Sequence, residues 1–147
     1  MRIWDTATGQ GRAVLTGHQG GVSAMADAPD GTLLAVGGRD GTVRIWDTRT
    51  WREHSALTGH QGGLAAVAIA PDGSWLATAD ADWKRADVRR GATVRIWDTS
   101  TWHVRALMRL NDSVSTVAWV SSNALAIGGP AGLYMFDFLT STAPHLP

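Results

Sequence analysis

The chain has 147 residues, with 13 basic and 13 acidic side chains and 44% hydrophobic residues, a composition typical of a folded domain. The zero net charge offers no overall attraction to nucleic acid or an anionic membrane, and the absence of cysteine excludes disulfides and thiolate zinc sites. Because the sequence contains neither an apolar run of transmembrane length nor an N-terminal signal pattern, we expect a cytoplasmic protein. Arginine dominates the basic residues, which weakly favours a bacterial origin.

A repeated unit organises the chain. The pentapeptide RIWDT occurs three times, at 2–6, 44–48 and 95–99. Trp4 and Trp46 are 42 residues apart, and the interval from Trp46 to Trp97 is the same period with an insertion. A weaker copy of the unit occupies 114–138. A period of this length predicts a repeat architecture.

In chain order, the pattern predicts short antiparallel strands, four in each complete unit. The chain opens with strands at 2–5 and 11–15, and apolar runs then alternate with PDG and RDG turns, whose residues favour tight hairpins. The further strands are expected at 22–26, 33–37, 42–46 and 52–57, at 64–69, 75–79, 93–97 and 103–108, and within 114–138. Because no helical period occurs, the fold class is all-β.

These features resemble the WD40-repeat β-propeller family. The resemblance depends on Gly-His at 17–18 and 59–60, Trp-Asp at 46–47 and 97–98, the PDG turns and the period of about 42 residues. It implies an incomplete propeller of about three four-stranded antiparallel blades and a non-enzymatic scaffold that binds partner proteins. It does not imply a cofactor, a metal or a nucleic acid.

We expect the partial propeller to span 1–138. Its divisions would be the last two strands of a blade (1–16), a blade (17–58), a blade with an insertion at 83–92 (59–109), a degenerate blade without its outer strand (110–138), and a flexible tail (139–147). Met1 stands where the other copies have Val43 and Val94. We therefore expect the chain to be the C-terminal portion of a larger propeller, with further blades upstream.

The resemblance also implies a hydrogen-bonded network of His, Ser or Thr, Asp and Trp within each blade. The residues that match are His18, Asp40 and Trp46 in the first complete unit, and His60, Thr78, Asp82 and Trp97 in the second. Val36 occupies the hydroxyl position of the first unit, and Asp87 is an alternative to Asp82. The third unit has Ile127, Ala131 and Phe136 at the network positions, with Asn111 near the His position, and is expected to be the loosest.

The insertion at 83–92 combines an aromatic residue with four cations, which suits an acidic partner or a phosphate. The candidate partner-binding residues are Trp83, Lys84, Arg85, Arg89 and Arg90. A solvated loop without a ligand is the alternative interpretation, since loops tolerate insertions at little cost. Trp51 and Trp102 occupy equivalent places after DTRT and DTST, and we interpret them as packing residues between or beneath blades rather than a binding pair.

The sequence predicts no catalytic or metal site. It lacks G-x-S-x-G or an equivalent nucleophile motif, and its remaining histidines have no metal-ligand spacing. Two alternatives to the simple scaffold stay open. The chain could be the sensor or autoinhibitory module of a signalling NTPase or protein kinase, or its ring could close by self-association between copies.

Overall fold

The computed structural model describes residues 1–81 and 91–138. These residues form thirteen β-strands arranged in four antiparallel sheets, which confirms the predicted all-β fold class. The described part of the chain contains no helix long and apolar enough to cross a membrane.

The first two sheets cover the N-terminal part of the chain. The first sheet has two strands, β1 (Arg2–Trp4) and β2 (Gly11–Val14). The second sheet has four strands in sequential order, β3 (Val22–Asp27), β4 (Leu33–Gly38), β5 (Val43–Asp47) and β6 (Glu53–Leu57). Each strand pairs with the next through a tight turn, as the turn residues predict.

The third and fourth sheets repeat this order. The third sheet consists of β7 (Gly63–Ile69), β8 (Trp75–Ala81), β9 (Thr93–Asp98) and β10 (Val104–Arg109). The fourth sheet has three strands, β11 (Thr116–Ser121), β12 (Ala124–Gly129) and β13 (Gly132–Asp137). β13 therefore has a paired neighbour on one side only among the described residues, and Leu133 and Met135 on it are exposed.

Aspartates at the strand ends shape the turns. In the PDG turns, Asp30 Oδ1 accepts hydrogen bonds from the backbone N–H and hydroxyl of Thr32, and Asp72 Oδ1 accepts the same pair from Ser74. These side-chain turns fix the reversal that the sequence predicts. Gly31 and Gly73 then adopt positive φ angles of 72° and 77°, a conformation that glycine takes without a steric penalty.

The hydrophobic core lies between successive sheets rather than inside any one of them. Ile45 of the second sheet and Leu64 and Leu76 of the third belong to one buried cluster, while Ile96 of the third sheet and Leu125 of the fourth belong to the next. Gly37 on β4 allows this close approach, because a Cβ there would lie 2.9 Å from the Cβ of Leu64. Each sheet is thus stabilised by its neighbours, as in other repeat folds.

Candidate interaction site and hydrogen-bond networks

The third sheet contains a connected network of polar side chains in its interior. Trp97 Nε1 donates to the Thr78 hydroxyl at 2.8 Å, and the same hydroxyl lies 2.7 Å from His60 Nε2. His60 Nδ1 lies 2.9 Å from a carboxylate oxygen of Asp80, whose other oxygen accepts the backbone N–H of Thr93 at 2.6 Å. Thr78 and Asp80 are both buried. The network connects β8, β9 and the loop before β7.

The direction of these bonds follows from what each group can do. An indole N–H only donates, so Thr78 uses a lone pair for Trp97. Among the described residues, the other hydrogen-bond partner of this hydroxyl is His60 Nε2, and we therefore assign its proton to that bond. Nδ1 of the neutral His60 ring then carries the ring proton and donates it to Asp80. Every polar side-chain group of this network has a partner, as buried groups require.

The second sheet contains an incomplete version of this network. His18 Nδ1 lies 3.1 Å from Asp40 Oδ1, but His18 Nε2 faces the backbone carbonyl of Val36 at 3.1 Å, because Val36 has no hydroxyl. Trp46 Nε1 is buried and has no hydrogen-bond partner among the described residues. Thr42 donates its backbone N–H and hydroxyl to Asp40. The structure thus brings His18 and Asp40 together and leaves Trp46 outside the network.

The carboxylate that contacts His60 is Asp80, which the sequence analysis did not select. Asp82, the residue selected, and Asp87, its alternative, lie outside the described residues. Strand register shows why Asp80 was missed, since Asp80 pairs with Leu64 where Gly38 pairs with Val22 in the second sheet. The carboxylate that bonds to the histidine therefore lies on strand β8 in the third sheet, and in the turn after β4 in the second sheet.

The fourth sheet has apolar residues at most network positions and a different polar contact. Ile127 is fully buried and pairs with Tyr134 across β12 and β13. The Tyr134 hydroxyl lies 3.2 Å from Asp112 Oδ2, and hydrogen bonding to that carboxylate raises the pKa of Tyr134. Asn111, Ala131 and Phe136 make no side-chain hydrogen bond in the described part of the chain, and the expectation that this unit is the loosest stays a prediction.

Each complete unit has an arginine, from its RIWDT repeat, that hydrogen-bonds to the loop before the first strand of that unit. Arg44 donates from Nη2 to the carbonyl of Gly17 at 3.1 Å, and Arg95 donates from Nη2 to that of Gly59 at 2.7 Å. Arg44 also forms an ion pair with Glu53. Sequence reasoning missed this role, although the repeated Arg and the repeated Gly before each His were visible signals.

Hydrogen bonds hold the network aspartates in their anionic form. Partial burial raises the pKa of Asp40. Hydrogen bonds from the Gln19 N–H, the Thr42 hydroxyl and N–H and the His18 ring have a larger combined effect in the opposite direction and lower this pKa to about 2. The pKa of Asp80 is also lowered, because the bonds from His60 and Thr93 outweigh the effect of its burial. Both carboxylates therefore act as acceptors at neutral pH, and the arrangement is a stabilising one.

Trp51 and Trp102 adopt an unusual backbone conformation for a large side chain. Their φ angles are 55° and 57°, in the left-handed region that costs an L-residue roughly 1–2 kcal/mol. Gly9 has a φ of 68° at the equivalent place of the first sheet. Trp51 packs on the cluster between the first and second sheets, and Trp102 on the cluster between the second and third, which agrees with the packing interpretation.

The predicted partner-binding residues of the insertion, Trp83, Lys84, Arg85, Arg89 and Arg90, lie outside the described residues. Their place in the chain falls between β8 and β9. The structure thus positions the strands that flank this candidate interaction site, and the side chains themselves stay a prediction.

Comparison with known proteins identifies relatives of the repeat. The family model described as "WD domain, G-beta repeat" matches residues 9–47 and 51–98. Small ribosomal subunit protein RACK1y of Oryza sativa subsp. japonica is 45% identical over 42 residues, which are 29% of this chain and 12% of that protein. A solved structure titled "Structure of U3-55K" superposes with a TM-score of 0.80 and 21% identity, covering 93% of this chain and 42% of that one. The chain thus spans a minor part of the length of each relative.

Proposed function

Because the chain belongs to the WD40-repeat family, we propose that it is a non-enzymatic protein–protein interaction scaffold, located in the cytoplasm, and that it forms the C-terminal portion of a longer, bacterial propeller. The observation that best supports a scaffold is that the polar side chains of the repeat are used in hydrogen bonds within the blades. The repeated polar residues of the third sheet bond to one another inside that sheet, and His18 bonds to Asp40 in the second, so these residues stabilise the blades and leave binding to the surface.

The open sheets at the two ends support a larger ring. Among the described residues, the first sheet has two strands and the fourth has three, whereas the second and third have four each. The solved structure named above has more than twice the length of this chain. Exposed strand edges and apolar surface favour association. We therefore propose that residues 1–138 form a partial propeller with the blade divisions given above. Upstream blades, or a second copy of the chain, would complete its ring. None of the three comparisons favours a sensor module of an NTPase or kinase, and that alternative is not proposed.

We propose the basic insertion as one partner-binding surface. The experiment is capture of the tagged protein from its native cell after cross-linking, with partners identified by mass spectrometry. One variant replaces Lys84, Arg85, Arg89 and Arg90 by alanine, together with Trp83. The matched control removes four exposed arginines elsewhere, namely Arg49, Arg52, Arg105 and Arg109.

The scaffold proposal expects a reproducible set of partners above a tag-only control. Loss of one partner in the insertion variant, with its retention in the control variant, would support the basic insertion as its surface. Retention in both variants would overturn the role of the insertion and leave the scaffold proposal in place. If no protein is enriched over the tag-only control, the scaffold proposal itself is overturned.

A further inference from the structure

A cleft of about 270 Å³ opens between the second and third sheets. It lies at the end where both PDG turns are found. Its walls include Pro29, Asp30 and Leu33 from the second sheet and Asp72, Thr99 and Trp102 from the third. None of the described residues that line the cleft is basic. The volume lies just below the roughly 300–1,000 Å³ of small-molecule pockets, and it suits a single long side chain.

The aromatic wall of this cleft is held in a costly conformation. Trp102 has a positive φ at a turn position where the first sheet has Gly9, and its backbone N–H closes the turn on the Asp98 carbonyl at 2.7 Å. The His54 ring of the second sheet contacts the Trp102 ring edge-on, with centroids 6.1 Å apart. Trp51 has a similar positive φ, so the strain reflects a side chain retained for packing between sheets. Trp102 in addition lines the cleft.

The two carboxylates of the cleft are fixed by their own turns. Asp30 and Asp72 accept the turn hydrogen bonds on Oδ1, so Oδ2 of Asp30 can accept a further donor. Asp72 also faces the hydroxyl of Ser122. Hydrogen bonds from Thr32 lower the pKa of Asp30, and those from Ser74 lower the pKa of Asp72. Both are therefore anionic at neutral pH.

We propose that this cleft receives the lysine or arginine side chain of an extended basic peptide on a partner protein. An indole face attracts a cation by its quadrupole, and the apolar stem of a long cationic side chain can lie along Pro29 and Leu33. The proposal rests on the scaffold function proposed above and names the chemistry of one partner. The same end of the sheets carries the turn-capping carboxylates of Asp5, Asp47 and Asp98, which would favour the approach of a basic segment.

The test is a titration of the ¹⁵N-labelled 147-residue chain, followed through the indole N–H signals. The probes are Gly-Ser-Gly-X-Gly-Ser-Gly peptides in which X is arginine, lysine, norleucine or glutamate. The first variant is the double substitution Asp30→Asn and Asp72→Asn, since asparagine keeps an oxygen for the turn. The second is Trp102→Gly, which suits the positive φ. The matched controls are Asp5→Asn with Asp47→Asn, and Trp51→Gly.

We expect the arginine and lysine peptides to shift the Trp102 signal, which is identified by its absence in Trp102→Gly. The norleucine and glutamate peptides should leave it unchanged. The Kd is read from the Trp102 signal and, in Trp102→Gly, from the backbone amide of Gly73, which also lines the cleft. Each cleft variant should raise the Kd about fivefold or more, and each control variant by less than about twofold. Equal weakening by Asp5→Asn with Asp47→Asn would overturn the cleft as the site, because the attraction would then be general. Equal shifts with norleucine, or no shift while partner capture persists, would overturn the inference and leave the scaffold proposal standing.

Discussion

Trp97 donates its indole N–H to the hydroxyl of Thr78, which is fully buried. The equivalent nitrogen of the second sheet, Trp46 Nε1, is buried and has no hydrogen-bond partner in the part of the chain that the structure describes, because Val36 takes the place of the threonine. A buried polar group left unpaired costs roughly 1–3 kcal/mol. The chain thus contains a satisfied and an unsatisfied version of one site, and reciprocal substitutions can be compared within the same protein.

The first prediction concerns this pair of sites. Thr78→Val should lower the free energy of unfolding by about 2–4 kcal/mol, because it leaves both Trp97 Nε1 and His60 Nε2 without their partner. Val36→Thr should raise it by about 0.5–1.5 kcal/mol, because the new hydroxyl can accept from Trp46. Urea denaturation followed by far-ultraviolet circular dichroism measures both changes.

Thr78→Ser is the matched control for this comparison, because it keeps the hydroxyl and removes a methyl group worth about 0.8 kcal/mol. Its cost should therefore be well below that of Thr78→Val. If the two substitutions at this position are equally destabilising, or if Val36→Thr destabilises the protein, the hydroxyl is not the decisive group of the network.

The second prediction is a pH dependence that arises from Asp40. Its pKa in the folded protein is about 2, against an ordinary value of 3.8. A lowered pKa means that the folded state favours the ionised carboxylate, so this stabilisation is complete above the ordinary value and is lost as the pH falls from about 4 to 2. The difference in unfolding free energy between the wild type and Asp40→Asn should therefore shrink across this range.

Urea titrations of both proteins at pH 5, 4, 3 and 2.5 would measure this difference. Asparagine does not titrate but keeps an oxygen that can accept from Thr42 and Gln19, so the comparison isolates the charge. A difference that stays constant from pH 5 to 2.5 would show that the fold does not favour the Asp40 carboxylate.

Much of the fold could be predicted from the sequence because the local signals agree with one another. The PDG turns and the alternation of strands such as β3 are short-range features, and they match the observed hairpins. The all-β class follows from them together with the period. The contact between His18 and Asp40 also joins two residues that the motif selects.

The histidine partner in the third sheet could not be predicted in this way, because the insertion obscures the alignment of the turn. In the third sheet the histidine bonds to Asp80, whose position on β8 is equivalent to that of Gly38 on β4. In the second sheet the histidine bonds to Asp40, which lies in the turn after β4. Only the register shows that the two positions are equivalent. The cleft beside Trp102 was also missed, since it is formed by turns that are far apart in the sequence, and no local pattern predicts such an approach.

The third prediction uses the same register. Gly38→Ala should destabilise the protein, because a Cβ at this position would overlap His18 Nδ1 and the carboxylate of Asp40 and so separate them. We expect a loss of about 1–3 kcal/mol in unfolding free energy, measured by urea denaturation.

Gly11→Ala is the control for this prediction, since its Cβ would make ordinary contact with the Trp4 ring at 3.8 Å. An equal loss in both variants would indicate a general effect of replacing strand glycine, and the His18–Asp40 contact would not be its cause.

The fourth prediction concerns the arginine that holds the loop before the third sheet. Arg95→Met keeps the aliphatic stem but removes the donor to the Gly59 carbonyl. We therefore expect the free energy of unfolding to fall by about 1.5–3 kcal/mol, the range for a hydrogen bond to a charged group.

Arg105→Met is the control for this prediction, because it removes a charge from an exposed residue of β10. Hydrogen exchange should report faster exchange at the loop amides around Gln61, whose N–H donates to the Asp80 carboxylate, in Arg95→Met alone, because the loop loses its attachment to β9. Unchanged exchange at these amides, whatever the global stability, would mean that backbone packing holds the loop and the guanidinium does not.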